Sequence, residues 1–217
     1  MARRVHAWRT LAQRPDRRKP ILTEIWLYCE GHKLLRPGFE AFLSVLRRRA
    51  REKRCKFRVI PSGSGSTACR DFGTAIRENP RVWSILLIDS EGPLRANASA
   101  SLCREQGWSE SNAGSIFWMV EMMEAWFHAD KDALADFYRS GFQRNSLKSN
   151  PNVEQISKKD LQHGLSAATK NSQKGDYYDN KTTHGTKLLA SIDADLVRKS
   201  APNCHDLFQT VLAKLAQ

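Results

Sequence analysis

Residues 84–92, Ser-Ile-Leu-Leu-Ile-Asp-Ser-Glu-Gly, decide the fold. The run Ser84–Ile88 is too short and too apolar for anything but a buried strand, and it stops at an acid-Ser-acid-Gly string. Strands buried on both faces belong to parallel sheets covered by helices. Working outward, residues 24–29 (EIWLYC) read as a buried strand ending at Glu30-Gly31. Residues 57–60 (FRVI) alternate as a strand and stop at Pro61, and residues 115–120 (SIFWMV) supply a fourth. Phe39, Phe42, Leu43 and Leu46 fall at i, i+3, i+4 and i+7, one face of an amphipathic helix. Thr67 opens a helix near residues 68–77. From about Glu121 the string EMMEAWFHAD reads as helical. Strands alternating with helices predict an α/β fold: a mostly parallel sheet of about four strands with helices on both sides.

Composition shifts divide the chain. Residues 1–20 are basic, carry Pro15 and Pro20, and read as a flexible arm. Residues 21–138 hold the α/β core. Residues 139–187 are polar, rich in Asn, Ser, Lys and Gly, and predict long loops with short helices. Residues 186–198 and 204–216 read as two closing helices, so 139–217 forms a C-terminal helical and loop lobe packed on the core.

The chain carries 35 Lys and Arg against 23 Asp and Glu, a net charge of +12. Such a surplus favours a polyanionic partner, nucleic acid before anionic membrane. It is also clustered: eight of the twelve residues 47–58 are basic, with Arg47, Arg48, Arg49, Arg51, Lys53 and Arg54 as the candidate nucleic-acid contacts. No apolar run approaches the roughly 20 residues of a membrane span, and the N-terminus has no secretory pattern. The five cysteines are odd in number and lack a CxxC spacing, which argues against disulfides and a zinc ribbon and for a reducing cytoplasm. Cys29, inside an apolar run, reads as core.

In an open parallel sheet, ligands bind beyond the carboxyl ends of the strands. Glu30 follows one strand directly, and Asp89 and Glu91 follow another. Residues i and i+2 leaving a strand project to the same side, so Asp89 and Glu91 can share a cation that Glu30 approaches. Crowded carboxylates repel unless a cation neutralises them, and hard oxygen donors select Mg²⁺ or Mn²⁺. Ser62–Ser66 (SGSGS) is either a backbone cradle for an anion or a flexible connection, since it lacks the lysine of a P-loop. Glu121, Glu124 and His128, at i, i+3 and i+7, read as a solvated helical stripe.

These residues resemble the Toprim domain of topoisomerases, primases and overcoming-lysogenization-defect nucleases. The strings LLIDSEGP, MEAWFHAD, NPNVEQISKKDL and YYDNKTTHGTKLLASID are similar, in the same order, to a bacterial Toprim-like family of unknown-function domains often encoded beside ATPases in phage-defence loci. The resemblance runs from about Leu27 to Leu212. It implies that Glu30 is the Toprim glutamate and that Asp89 and Glu91 bind metal. It sets Glu124 and Asp130 at that family's Glu-Ala-Trp and Asp positions, and Lys181 and His184 in its Lys-x-x-His segment. Glu30, Asp89, Glu91, Glu124, Lys181 and His184 are thus the candidate catalytic set. Two departures stand out: Asp-Ser-Glu replaces the usual Asp-x-Asp, and Glu-Gly is followed by HKLLRPGFE, where only Glu40 could replace the usual second acid.

The expected activity is metal-dependent cleavage of RNA or DNA by an antiphage effector. The chain contains no ATP-binding motif, so an ATPase sensor would be a separate protein; a homodimer is left open. The alternative is a non-catalytic nucleic-acid-binding or scaffold subunit.

Overall fold

The computed structural model describes residues 22–217, so the basic arm read at residues 1–20 lies outside the described residues. Four strands, β1 (Glu24–Cys29), β2 (Lys56–Pro61), β3 (Trp83–Asp89) and β4 (Ile116–Met119), form one sheet in the order β2-β1-β3-β4, all parallel. β1 and β3 are neighbours, with Ile25 opposite Trp83 and Cys29 opposite Leu87. This is the α/β architecture expected from the alternation of elements.

Side chains alternate across the sheet. Ile25, Leu27, Cys29, Ile85, Leu87, Phe117 and Met119 enter one core, while Tyr28, Leu86, Ile88 and Ile116 enter a second. The second, smaller core is covered by α3 (Gly65–Glu78) and α4 (Ala98–Glu105), through Ala68, Cys69, Phe72, Ala75 and Cys103. The larger is covered by α1 (Arg36–Phe42), α2 (Ser44–Glu52), α5 (Ala125–Ala129), α6 (Lys131–Tyr138), α7 (Lys158–Thr169), α8 (Lys181–Ser191), α9 (Ala194–Ser200) and α10 (Pro202–Leu215). Residues from Ile25 to Leu215 share that larger core, with α10 lying on β4 and α2, and α8 on α1. The α1–α8 contact needs Gly38: a Cβ there would stand 2.5 Å from the Thr186 carbonyl oxygen.

Several local expectations need correction. The helix read through Phe39, Phe42, Leu43 and Leu46 breaks at Leu43 into α1 and α2. All four side chains are still buried, because the hydrogen bonds Leu43 N to Phe39 O and Arg47 N to Leu43 O carry the turn across the break. α3 begins at Gly65, capped by the Ser64 hydroxyl rather than Thr67. Residues 186–198 are not one helix: α8 ends at Ser191 and α9 starts after its own N-cap, Asp193. The polar segment contains a 12-residue helix, α7, whose Ser157 cap and Leu161, Leu165, Ala168 stripe were present in the sequence but masked by its polar composition. Within the string EMMEAWFHAD only Ala125–Ala129 is α-helical, since Glu121 turns the chain at φ +64°. Glu121, Glu124 and His128 are buried, so they do not form a solvated stripe.

Candidate functional site

Parity along the strands brings acids to one sheet edge from opposite faces. Glu30 continues the Trp26–Tyr28 face, toward α3; Asp89 continues the Ile85–Leu87 face, toward α8. They meet where the Glu30 Oε2 atom accepts the Asp89 N–H at 3.1 Å. Glu30, Asp89 and Glu91 each offer a carboxylate oxygen, and these lie within 4.8 Å of one another. The route of Glu91 differs from the extended i, i+2 projection of the sequence reading. The chain turns after Asp89 and Glu91 takes a left-handed conformation, φ +61°, a backbone state that costs a non-glycine residue about 1–2 kcal/mol. Ser90 holds this turn: its N–H donates to the Met119 carbonyl, its hydroxyl donates to the Gly92 carbonyl and accepts the Glu121 N–H.

The SGSGS loop is not a loose connection. Gly63 and Gly31 exchange backbone hydrogen bonds of 2.7 and 2.9 Å. The anion this loop approaches is the protein's own Glu30: a Cβ on Gly65 would sit 2.9 Å from Glu30 Oε2. A carboxylate at the first turn of α3 faces the positive end of the helix dipole, which is stabilising.

A cavity of about 210 Å³ opens over Glu30, Asp89, Gly63, Met123, Glu124 and Lys181. Asp89 is half-buried and lines it. Burial, then the charges of Glu124 and Glu30, hold its carboxyl well above the usual carboxylate range, partly offset by Lys181 and the Met123 N–H at 2.9 Å. Glu124 is fully buried, and its Oε1 accepts the Tyr177 hydroxyl at 2.8 Å and the Lys181 ammonium at 3.0 Å. Glu91 Oε2 pairs with the Lys158 ammonium, an interaction that pushes the Lys158 pKa up. Glu121 accepts the backbone N–H of Lys158 at 2.7 Å and so fixes the start of α7 against the site.

Five of the six candidate catalytic residues therefore gather at this edge: Glu30, Asp89, Glu91, Glu124 and Lys181. His184 stands one turn beyond Lys181, outside the cavity lining. It is buried between Phe137 and Tyr138, with Nδ1 3.0 Å from the Tyr138 hydroxyl. Asp130 is engaged elsewhere, its Oδ1 capping α6 through the Ala133 N–H and its Oδ2 accepting the Asp193 N–H. Glu40 pairs with Arg47 and is not in the acidic cluster, so it does not replace the second acid.

A family model described as "Domain of unknown function (DUF4276)" matches residues 30–212, most of the chain. The chain belongs to the DUF4276 family. No curated protein and no solved structure gives a significant match. The matched segment of this DUF4276 chain contains every carboxylate of the cluster and both lysines that pair with it.

Two groups at the site escaped the sequence reading, Lys158 and Tyr177, while Glu121, read as part of a solvated stripe, is buried against the start of α7. Lys158 and Tyr177 sit in the polar segment, where nothing local separates them from their neighbours; only the fold brings them to the carboxylates. A larger open groove of about 600 Å³ runs past His128, Asp130 and Arg144. Its charged groups are mostly spoken for: Arg144 pairs with Asp132, and Lys131 donates to the Leu147 carbonyl and the Ser149 hydroxyl.

The basic cluster lies at the other end of the molecule from the acids. Arg48, Arg49, Arg51, Lys53 and Arg54 are exposed on the last turns of α2 and the turn into β2. Glu24 pairs with Lys56 in register, so this turn borders the N-terminal edge of the sheet, whereas Glu30 and Asp89 leave its C-terminal edge. A six-residue strand separates the two edges by roughly 20 Å. Arg47 is half-buried against Glu40, and Arg49 pairs with Glu52 at 2.9 Å. No helix among the described residues is long and apolar enough to cross a membrane.

Proposed function

We propose that this protein is a Toprim-like, Mg²⁺- or Mn²⁺-dependent nuclease that cleaves RNA or DNA phosphodiesters at the edge shared by β1 and β3. The observation that carries the reading is the convergence of Glu30, Asp89 and Glu91 within 4.8 Å beyond two adjacent parallel strands. The donor set fits the ion. All three ligands are carboxylate oxygens, which hard divalent cations take, and their oxygens lie within 4.8 Å of one another. When bound, such an ion supplies Lewis-acid polarisation of a phosphoryl oxygen and a more acidic water. Asp89, anchored by the Met123 N–H, and Glu91, anchored by Lys158, are the residues that would hold it. Glu30 is fixed by the Asp89 N–H and stands ready to orient a water. Lys181, half exposed beside the cavity, offers its ammonium to a negatively charged phosphate oxygen. A role as an antiphage effector working with a separate ATPase belongs to the same proposal and rests on the resemblance alone.

A second reading has its own support. The exposed basic cluster is about a strand's length from the carboxylates, so nucleic-acid binding there does not require the acidic site, as a non-catalytic binding subunit would need. Purified protein is incubated with tRNA, single-stranded DNA and duplex DNA, with and without Mg²⁺ or Mn²⁺. Cleavage that needs the metal and is lost in Asp89→Asn is expected. Binding of nucleic acid with no cleavage of any substrate supports the subunit reading instead.

A further inference from the structure

Asp89 faces acids on two sides. On one, Glu30 and Glu91 complete the cluster spanning 4.8 Å. On the other stands Glu124, whose charge is the largest of those opposing ionisation of Asp89. Glu124 has 0% exposure and lines the cavity it shares with Asp89 and Glu30. Its Oε1 takes both available donors, Tyr177 and Lys181, while its Oε2 has no hydrogen-bond partner. A buried carboxylate oxygen left bare is costly, so Glu124 retains capacity for a further positive partner. The Lys181 ammonium sits on Glu124 at 3.0 Å and lines the cavity that Asp89 and Glu30 also line, so the cation nearest Glu124 in this cavity is the protein's own.

We propose that Asp89 is shared between two cation positions: one for a divalent ion among Glu30, Asp89 and Glu91, and one between Asp89 and Glu124 that the Lys181 ammonium fills. The inference rests on the metal-dependent reading above and makes the centre a one-ion site. Charge balance leads to the same count. Four carboxylates face two ammonium groups, Lys158 on Glu91 and Lys181 on Glu124. The two remaining negative charges are neutralised by one divalent ion. A second ion would leave two positive charges in excess beside the Lys181 ammonium, which it would have to displace from Glu124. Glu121 does not alter the balance at the cavity, because it is turned to the α7 N-terminus.

The test is a Mn²⁺ titration of metal-free, full-length protein, with free ion followed by electron paramagnetic resonance. Wild type is expected to bind one Mn²⁺ per chain, and Lys181→Met two, because the Asp89–Glu124 position is vacated. Lys181→Arg, which keeps the charge, and the double variant Glu124→Gln/Lys181→Met, which removes the second acid, are each expected to bind one. Two ions in the wild type overturn the inference and leave the metal site standing. A folded Lys181→Met that still binds one ion also overturns it. Should Lys181→Met not fold, Lys181→Gln takes its place, with two ions expected and one ion in the folded variant overturning the inference. A wild type that binds no Mn²⁺ removes the metal-dependent reading itself, and this inference with it.

Discussion

At the residue scale, Asp89 and His128 show how burial turns into pH dependence. The Asp89 carboxyl has a raised pKa in the fold, so the metal-free folded state disfavours its charged form. That penalty is absent below the unfolded carboxylate range near 3.8, grows as pH rises, and is complete above the folded pKa. Asp89→Asn removes the charge but keeps an oxygen to accept the Met123 N–H. In chelator it should raise stability at pH 7 by on the order of 1 kcal/mol, with a smaller gain at pH 4. Thermal melts at both pH values check this; a variant less stable than wild type at pH 7 contradicts the crowding of charge. His128 is the opposite case. It is buried, neither ring nitrogen has a partner in good geometry, and burial pulls its pKa down to about 4, with the Lys148 and Leu161 backbone acting weakly the other way. Its contribution is full above the unfolded value near 6.5 and is lost as pH falls toward 4. His128→Leu should therefore gain on wild type by about 3 kcal/mol between pH 7 and pH 4. Urea denaturation at the two pH values measures it, and parallel losses in both proteins would exclude His128 as the source.

At the element scale, Asp130 works as a joint. One oxygen caps α6 and the other receives the Asp193 N–H at 2.9 Å, so a single buried side chain ties the start of α6 to the start of α9. The resemblance set Asp130 beside Glu124 in a motif, but its bonds are structural. Asp130→Ala should cost about 1–2 kcal/mol, one cap plus one part-buried hydrogen bond to the Asp193 N–H, while Mn²⁺ binding by the folded fraction stays unchanged. Equilibrium unfolding and the Mn²⁺ titration separate these; loss of the ion from an otherwise stable variant would return Asp130 to the site. The same scale explains which elements could be read in advance. β1 and β3 are short apolar runs and β2 alternates, all with turn residues at their ends, and pattern finds them to within a residue or two. α7 was hidden by polar composition, and the α8–α9 break depends on Asp193, whose cap is set by a residue 63 positions away.

At the scale of the whole molecule, acid and base are segregated. The carboxylates leave the C-terminal edge of the sheet, and the arginines surround the turn entering β2 at the N-terminal edge. A bound strand would have to run along the molecule to touch both. Arg48 and Arg51, exposed and a turn apart on α2, are the arginines to test, since Arg47 and Arg49 already face Glu40 and Glu52. Arg48→Glu/Arg51→Glu should weaken nucleic-acid binding across sequences. It should lower the slope of log K against log salt by about one for each phosphate that the arginines no longer neutralise, with the Mn²⁺ count unchanged. An unaltered salt slope would show that the cluster is surface charge and nothing more.

What the sequence determined by itself was local. Short apolar runs closed by Glu30-Gly31 and Asp89-Ser90-Glu91 dictate buried parallel strands, because an unbroken apolar run has no face to give to water. The position of those acids at strand ends follows from the same pattern, and Glu30, Asp89 and Glu91 were assigned together on it. The tertiary structure decided the rest. Glu91 reaches the cluster through a left-handed turn that alternation does not describe. Lys158, Tyr177 and Lys181 come to the carboxylates from more than 60, 80 and 90 residues beyond Asp89, by way of helices packed through one shared core. Charge neutralisation acts through space, at distances of about 3 Å. Spacing along the chain therefore reveals which acids need partners, and the fold makes the pairs: Lys181, named by the resemblance, with Glu124, and Lys158, marked by nothing local, with Glu91.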